Sequence, residues 1–349
     1  MPQAGAGFNL AALRNRPANL WRYREGYHLP GDALPVTLGE GWTPLADVDF
    51  ADRRIQAKLD FLCPTGSYKD RGSAVMLTQL RAWGLQDIVE DSSGNAGASV
   101  AAYAALAGIA AKIYVPDSAS AGKMAQIALY GGRLQKIPGS REDCAAAALA
   151  AVETTFYASH NWSPFFLQGL KSAAYEIAEQ RDWQAPDWVV TPAGNGGLAG
   201  GLYYGFRDLL AAGMVDRMPR IAMAQAANCA PVYAAWKQGL DHIPSIRKQA
   251  TVAEGIASAQ PVRGYEMLEA LRETQGVVET VTEDEIWAAF EALGALGLYV
   301  EPTSATAAAA LRNLLRCGTI SADQSVVLYL TGSGLKSTDI ITRHFSTRF

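Results

Sequence analysis

The chain contains 349 residues, which is long enough for two domains or for one large α/β unit. Hydrophobic residues make up 49% of it and charged residues 18%, a composition typical of a globular protein with a large core. The net charge of -4 argues against nucleic-acid binding, and because no stretch of about 18 uncharged apolar residues occurs, we expect no membrane partner.

The cysteines give little reason to expect a structural metal or a disulfide framework. Cys63, Cys144, Cys229 and Cys317 are far apart in the chain, and no CxxC pair occurs. The N-terminus lacks a basic region followed by an apolar run, so we predict no signal peptide. A reducing, cytoplasmic setting is the simplest expectation.

The first part of the chain is irregular before it becomes extended and then helical. A short helix is predicted at residues 19–23, and a turn-rich, extended segment at residues 39–45. Residues 54–59 alternate like a strand. Ser67 and Asp70 have the spacing of a capping box, so we expect a helix to begin near Ser67 and continue through residues 74–83.

From residue 84 onward, strand patterns alternate with helix patterns, which predicts parallel sheets covered by helices. Strands are predicted at residues 88–92, 111–116, 134–137, 155–158, 188–191, 221–224 and 326–330. Helices are predicted at residues 96–107, 122–130, 142–152, 167–180, 198–210, 282–296 and 305–315. The predicted organisation is a smaller α/β domain, residues 84–175, inserted into a larger domain formed by residues 1–83 and 176–349.

Lys69 is the first candidate for chemistry. It lies in the first turn of a predicted helix, where the helix dipole already places partial positive charge. A lysine there is either a solvated surface residue or one that a reaction modifies. Residues 64–72 read Pro-Thr-Gly-Ser-Tyr-Lys-Asp-Arg-Gly and resemble the lysine loop of fold type II pyridoxal-phosphate enzymes, the tryptophan synthase β family. The loop is similar to that of threonine synthases within this family, which have phenylalanine in place of Tyr68.

The resemblance implies a fold with two domains, each an open, mostly parallel sheet flanked by helices. It also implies pyridoxal 5'-phosphate as the cofactor, bound to Lys69 as a Schiff base. The free lysine amine would then act as acid and base at the substrate Cα. A homodimer that acts on a small amino acid is expected. Residues 39–45, Gly-Glu-Gly-Trp-Thr-Pro-Leu, are similar to an entry segment of threonine synthases and dehydratases.

Residues 92–97, Ser-Ser-Gly-Asn-Ala-Gly, lie where a strand meets a helix, a position whose N–H groups bind anions. An ordinary helix cap by Ser93 or Asn95 explains the same pattern. The segment resembles the Ser-Gly-Asn loop of the family. That resemblance assigns Asn95 to the cofactor's phenolic oxygen. It assigns the substrate carboxylate to the loop formed by Ser92, Ser93, Gly94, Asn95 and Ala96.

A glycine-rich segment follows the strand predicted at residues 188–191 and opens a helix, so by position it predicts a phosphate-binding loop. Its residues are Gly194, Asn195, Gly196, Gly197 and Leu198. It resembles the phosphate loop of the family. An alternative is open, because Gly194-x-Gly196-x-x-Ala199 followed by Asp216 fits the fingerprint of an NAD-binding oxidoreductase.

Residues 331–336 follow a buried strand and resemble the Thr-Gly-x-Gly-Leu-Lys ending of threonine synthases. The resemblance places the hydroxyl of Thr331 at the pyridine nitrogen, where it does not hold that nitrogen protonated as a carboxylate would. Residues 301–305, Glu-Pro-Thr-Ser-Ala, resemble a turn that binds a cation in some dehydratases. A helix N-terminus explains this turn equally well, and no metal is predicted.

One segment departs from the threonine synthase pattern. Phe166 stands where the family's Asn-Pro-x-Arg segment has an arginine that helps to bind the substrate phosphate, and Trp162 and Phe165 lie beside it. We therefore expect an apolar wall and poor use of homoserine phosphate. Lys58, Ser93 or Asn161 could offset part of the lost charge, and His160, the histidine nearest this wall, is expected to be structural.

The predicted function is therefore pyridoxal-phosphate-dependent elimination or replacement on a small amino acid, similar to threonine synthase. A serine/threonine dehydratase or a cysteate synthase-like enzyme is the main alternative, because residues 253–257 look more like the dehydratase segment. An NAD-binding oxidoreductase and a catalytically inactive binding protein are the alternatives from other classes.

Overall fold

The computed structural model describes residues 8–117, 119, 121–139 and 141–346. The chain forms two compact units. The first unit contains Thr43–Leu62 and the chain from Lys171 onward, and the second contains Phe8–Trp42 and Cys63–Leu170. Each unit has its own sheet and its own apolar core, so each is described by itself.

The described residues form ten strands and thirteen α-helices, joined by loops and short 3₁₀ turns. The strands are β1 (Leu45–Phe50), β2 (Arg53–Leu59), β3 (Asp87–Glu90), β4 (Ala110–Pro116), β5 (Arg133–Ile137), β6 (Phe156–Tyr157), β7 (Trp188–Pro192), β8 (Arg220–Ala226), β9 (Val277–Val281) and β10 (Val326–Leu330). The helices are α1 (Leu10–Arg14), α2 (Lys69–Ala82), α3 (Asn95–Ala107), α4 (Ala121–Leu129), α5 (Arg141–Ala150), α6 (Pro164–Leu170), α7 (Ser172–Glu179), α8 (Gly197–Ala211), α9 (Pro231–Lys237), α10 (Gly264–Glu273), α11 (Glu283–Ala295), α12 (Pro302–Arg316) and α13 (Thr338–Phe345).

The first unit is built on a six-stranded sheet with the order β1-β2-β10-β7-β8-β9. The β1–β2 pair is antiparallel, and the other pairs are parallel. Strands β7 and β10 are buried along their whole length, as their continuous apolar sequences require. Helix α12 packs its apolar face, which includes Leu311 and Leu314, into the same core.

The second unit is built on a four-stranded parallel sheet with the order β5-β4-β3-β6. Its core joins the sheet to α2 and α3, the latter an alanine-rich helix with Val100 and Tyr103 on its buried face. The two sheets confirm the predicted α/β class with open, mostly parallel sheets flanked by helices. Because the carboxyl ends of parallel strands share one edge, the loops after β3 and β6 lie at the same edge.

The unit boundaries differ from those of the predicted domains. The predicted smaller domain, residues 84–175, overlaps the second unit, but residues 8–42 and 63–83 also belong to that unit. Helix α2 joins it because Ala74, Met76, Leu77 and Leu80 are buried in the same core as α3. Lys69 therefore lies in the second unit rather than with the larger flanking segments.

The predicted secondary structure needs several further corrections. The helix predicted at residues 167–180 is two helices, α6 and α7, and the break at Lys171 coincides with the boundary between the units. Gly169 lies so close to the backbone of Arg71 that a Cβ there would overlap its carbonyl. The elements β1, β9, α1, α9, α10 and α13 were not predicted. In the described part of the chain, no helix is long and apolar enough to cross a membrane.

A buried ion pair fixes β2 to α7 within the first unit. Nζ of Lys58 lies 2.8 Å from Oε2 of Glu176, and both side chains are 0% exposed. The same amine donates hydrogen bonds to the carbonyl of Thr43 (2.7 Å) and to Oε1 of Gln180 (2.8 Å). The expectation that Lys58 could offset a substrate phosphate is therefore wrong, because its charge is already paired inside the first unit.

We predict that Glu176→Gln lowers the free energy of unfolding by about 3 kcal/mol, because it leaves the charge of Lys58 buried without its ionic partner. Asp47→Asn is a matched control, because it breaks the pair between Arg54 and Asp47, whose side chains are 68% and 50% exposed. That change should cost less than about 1 kcal/mol. Urea unfolding followed by circular dichroism measures both, and equal losses would contradict the structural importance of the buried pair.

Candidate active site

Lys69 is the first residue of α2, in the second unit. Its side chain is half-buried, and Nζ lies 4.8 Å from the centroid of the Tyr68 ring and 5.8 Å from that of Phe166. Among the residues that the structure describes, this amine forms no hydrogen bond and no ion pair. An amine held between aromatic rings at the positive end of a helix dipole is suited to act as a nucleophile.

The predicted capping box at the start of α2 is wrong. Oγ of Ser67 is buried without a hydrogen-bond partner in the described structure, and the helix starts two residues later. The carboxylate of Asp70 instead accepts hydrogen bonds from the backbone N–H (2.7 Å) and the hydroxyl (2.6 Å) of Thr65. The hydroxyl of Ser99, on α3, donates to the same carboxylate at 2.6 Å. Burial raises the pKa of Asp70 to about 6.

The predicted substrate loop lies at the carboxyl end of β3, where Ser92, Ser93 and Gly94 lead into α3. Oγ of Ser92 accepts a hydrogen bond from the N–H of Gly94 at 3.3 Å. A Cβ at Gly97 would overlap the backbone of Ser92, so this glycine lets the loop fold back onto the helix. The structure thus places Asn95 and Ala96 in the first turn of α3, where backbone N–H groups have no intrahelical acceptor and suit an anion.

The glycine-rich loop lies in the first unit, between β7 and the N-terminus of α8. Gly196 has a φ of +92°, and a Cβ added there would lie 2.9 Å from Cβ of Arg263. Oδ1 of Asn195 accepts hydrogen bonds from Oγ of Ser258 (2.8 Å) and from the N–H of Val262 (3.4 Å). The asparagine side chain thus fixes the loop, and the N–H groups of the first turn of α8, at Gly197 and Leu198, suit a phosphate group.

Thr331 follows β10 in the first unit, and its side chain is buried. Its hydroxyl lies 2.8 Å from Oγ of Ser304, which also accepts hydrogen bonds from the N–H groups of Thr331 (2.9 Å) and Gly332 (3.0 Å). Ser304 lies in the first turn of α12 and was not predicted as a site residue. The Glu-Pro-Thr-Ser motif was the available signal, because its serine is the group that holds this turn.

The NAD-binding alternative does not agree with the geometry. In that fold, the acidic residue lies at the carboxyl end of the second strand, where it reaches the ribose. Asp216 is exposed and precedes the first residue of β8, Arg220, so it lies toward the opposite edge of the sheet. The glycine pattern alone therefore does not form a dinucleotide site.

Only one of the three aromatic residues of the predicted apolar wall lies close to Lys69. Phe166 is buried, and its Cγ lies 2.6 Å from the position that a Cβ on Gly72 would occupy. Trp162 is 64% exposed. The ring of Phe165 packs edge-on against Trp83, with 5.2 Å between the centroids. Of these three described aromatic residues, only Phe166 places its ring near the amine of Lys69.

His160, which was predicted to be structural, lies beside two buried carboxyl groups. Its Nδ1 lies 2.6 Å from Oε1 of the buried Glu90, and Asp91 places a further carboxylate oxygen within 4.8 Å of this pair. A metal ion would accept three ligand atoms at this spacing, but the short contact joins the imidazole and the carboxylate to each other. The spatial proximity of residues 90 and 160 left no signal in the sequence.

The sequence comparisons agree with these features. A family model described as "Pyridoxal-phosphate dependent enzyme" matches residues 36–332. The threonine synthase of Methanocaldococcus jannaschii is 33% identical over 339 residues, which cover 95% of this chain and 84% of that protein. The threonine synthase of Methanosarcina acetivorans is 36% identical over 340 residues, which cover 94% and 82%.

Solved structures show the same fold at lower sequence identity. Maize serine racemase has a TM-score of 0.74 and 22% identity, with coverage of 87% of this chain and 92% of that one. Threonine deaminase isoform 2 from Solanum lycopersicum has a TM-score of 0.73 and 21% identity, with coverage of 88% and 82%. The chain belongs to the family of pyridoxal-phosphate-dependent enzymes, with the type II fold and a threonine synthase-like sequence.

Proposed function

We propose that this enzyme eliminates or replaces a substituent on the side chain of a small amino acid that carries no phosphate group. The chain is a pyridoxal-phosphate-dependent lyase that acts on carbon–oxygen bonds, so the proposal narrows the substrate within an established class. The single observation that carries it is the apolar ring of Phe166, centred 5.8 Å from Nζ of Lys69.

The proposed cofactor-binding residues are the predicted ones. The amine of Lys69 holds the cofactor, and the N–H groups of the loop formed by Gly194, Asn195, Gly196, Gly197 and Leu198 hold its phosphate. Asn95 binds its phenolic oxygen, and Thr331 faces its ring nitrogen. When bound, pyridoxal phosphate supplies an electron sink for the Cα–H bond electrons. Two features support this assignment. The amine of Lys69 forms no ion pair with any residue that the structure describes, and the loop packs so closely at Gly196 that an added Cβ would lie 2.9 Å from Cβ of Arg263.

The substrate carboxylate is assigned to the loop of Ser92, Ser93, Gly94, Asn95 and Ala96, whose N–H groups open α3. Lys69, released from the cofactor, is then the acid and base at Cα. A homodimer in the cytoplasm is part of the proposal, on the resemblance to the family. No metal is assigned.

The side-chain substituent is where the proposal departs from the names of the curated relatives. Those relatives are threonine synthases. The resemblance to the Asn-Pro-x-Arg segment of that family implies that an arginine at the position of Phe166 would pair with the substrate phosphate. Phe166 cannot pair with an anion, and a buried, unpaired phosphate dianion is costly. A serine/threonine dehydratase, which acts on an amino acid with a free hydroxyl group, satisfies this constraint better than an enzyme for O-phosphohomoserine.

The phosphate loop generates the first prediction of the proposed function. Gly196→Val should raise the dissociation constant for pyridoxal phosphate by about tenfold or more, because the side chain and the φ of +92° force the loop to move and weaken its hydrogen bonds. Spectrophotometric titration of the apoenzyme measures this constant. Gly294→Val is the control, because Gly294 is exposed on α11 with nothing within 4 Å of its added Cβ. Equal affinity in both variants would place the phosphate elsewhere.

The second prediction concerns the substrate. Under identical conditions, kcat/KM should be higher for serine, threonine or O-acetylserine than for homoserine phosphate and phosphoserine, because the aromatic side chains of the predicted wall carry no charge that could pair with a phosphate. Steady-state kinetics with product identification provides the test. If homoserine phosphate has the highest kcat/KM and yields threonine, the enzyme is a threonine synthase and the proposal is wrong.

The third prediction introduces the missing charge. Phe166→Arg should raise kcat/KM for homoserine phosphate relative to serine by about tenfold. That factor corresponds to roughly 1.4 kcal/mol of additional binding free energy between the arginine and the phosphate. Phe165→Arg is the matched control. Phe165 is the adjacent residue, and its ring packs against Trp83. An equal change in both variants would mean that position 166 does not determine the preference.

A further inference from the structure

A buried imidazole–carboxylate pair lies in the second unit. His160 is 6% exposed, and Glu90 is fully buried. Glu90 accepts a hydrogen bond from the backbone N–H of His160 at 3.2 Å and faces its Nδ1 at 2.6 Å. Because a carboxylate can only accept, Nδ1 carries a proton in this contact, and Nε2 is the ring nitrogen at which a second proton is gained or given. The two contacts together fix the orientation of the imidazole.

The pair lies where the second unit presents its other candidate residues. Glu90 ends β3, two residues before the substrate loop begins at Ser92, and His160 follows β6, which is paired with β3. The imidazole ring packs edge-on against Phe166 at 5.9 Å, and that same ring faces Nζ of Lys69 at 5.8 Å. The imidazole therefore lies one aromatic ring away from the amine at the carboxyl edge of the sheet.

Burying several ionisable groups around the pair costs free energy, which a purely structural pair would not need. Glu90 and Asp91 are consecutive buried carboxyl groups beside a single imidazole. Burial raises the pKa of Tyr157, as do the charges of Asp91 and Glu90, so its phenol stays protonated and donates to Asp91. Buried ionisable groups clustered at the ligand-binding edge of a sheet are characteristic of sites that move protons.

We propose that His160, oriented by Glu90, is the acid that protonates the oxygen leaving the substrate side chain, and that the substrate is a hydroxyl-bearing amino acid such as serine. This inference rests on the proposed function and names its substrate class. Hydroxide is a poor leaving group and must depart as water, whereas a phosphate or a halide departs without a proton. His160 as an acid favours a hydroxyl leaving group, and the uncharged ring of Phe166 disfavours a phosphate. Both features therefore indicate a hydroxyl-bearing amino acid as the substrate.

The proposed step is balanced in protons and electrons. Lys69 removes the proton from Cα, the electron pair forms the Cα–Cβ double bond, and the Cβ–O bond breaks. The imidazolium of His160 gives its Nε2 proton to the departing oxygen, which leaves as water. His160 regains a proton from solvent or from the nucleophile that adds in a replacement, and Lys69 releases the Cα proton to solvent, so the net loss from serine is one water molecule. Glu90 stays ionised throughout and is a positioning residue.

The test compares serine with β-chloroalanine, whose chloride leaves without a proton, on the holoenzyme. Both eliminations yield pyruvate, which a coupled assay measures. His160→Asn should lower kcat for serine by about 100-fold or more, and the loss for β-chloroalanine should be at least about tenfold smaller. KM for serine and the absorption band of the bound cofactor should change little. Glu90→Gln should shift the same ratio in the same direction by a smaller factor.

His242→Asn is the matched control, because His242 forms a similar pair with Asp241 at 2.9 Å but both side chains are exposed, 69% and 84%. It should leave the serine to β-chloroalanine ratio unchanged. Equal losses on both substrates in His160→Asn, or in Glu90→Gln if the first variant does not fold, would overturn the proposal and leave the pair structural.

Two further outcomes separate this inference from the function on which it rests. If the wild-type enzyme eliminates chloride from β-chloroalanine but does not convert serine, the substrate class is wrong while the proposed function stands. If it converts neither, the proposed function fails as well. Loss of serine turnover after EDTA treatment, restored by Mn²⁺ in the wild-type enzyme and abolished as a response in Asp91→Asn, would assign Glu90, Asp91 and His160 to a cation and would also overturn the proposal.

Discussion

The buried carboxylate of Asp70 connects the parts of the second unit on which Lys69 depends. It accepts two hydrogen bonds from Thr65, in the loop before the lysine, and one from Ser99 on α3. Because Asp70 directly follows Lys69, these bonds fix the first turn of α2 against the helix that begins with the predicted substrate loop. The amine and the loop therefore share one rigid support within the second unit.

The first unit supports its candidate residues in a different way, through backbone conformation. Gly196 adopts a φ that favours glycine, and its neighbour Asn195 uses its side chain to hold the loop in place. Ser304 likewise fixes the turn at Thr331 and Gly332, because its Oγ accepts hydrogen bonds from both of their N–H groups. In both places a polar side chain shapes the turn, which leaves backbone N–H groups at Gly197 and Leu198, and one buried hydroxyl at Thr331, as the groups assigned to the cofactor.

The sequence predicted the features that are local in the chain. The strand–loop–helix order around residues 92–97 and 194–198 follows from short-range patterns of glycine and apolar residues, and the structure has the same order. The capping box predicted at the start of α2 does not form, because the carboxylate of Asp70 accepts hydrogen bonds from Thr65 rather than from Ser67. The spacing of these residues in the sequence cannot distinguish the two partners. The helix predicted at residues 167–180 is divided at Lys171, where the two units meet in the sequence, and Gly169 packs against the backbone of Arg71, so both features depend on tertiary structure.

Contacts between distant residues were beyond the reach of the sequence patterns. Ser304 and Thr331 are 27 positions apart, and Glu90 and His160 are 70 apart, so neither pair has a local signature. Phe166 was recognised as a departure from the family, but its position over Gly72 and its separation from the exposed Trp162 required the fold. The substrate inferences depend on these long-range contacts, whereas the cofactor follows from local motifs and from family membership.

The most direct test of the central claim, that Lys69 carries the cofactor, is borohydride reduction of the holoenzyme followed by peptide mass mapping. The reduced pyridoxyl group should be found on the peptide that contains Lys69. It should be absent from Lys69→Ala, which should also lose the absorption band of the lysine-bound cofactor while keeping its circular dichroism spectrum. A pyridoxyl group on a different lysine of the wild-type enzyme, or an unchanged band in Lys69→Ala, would contradict the account.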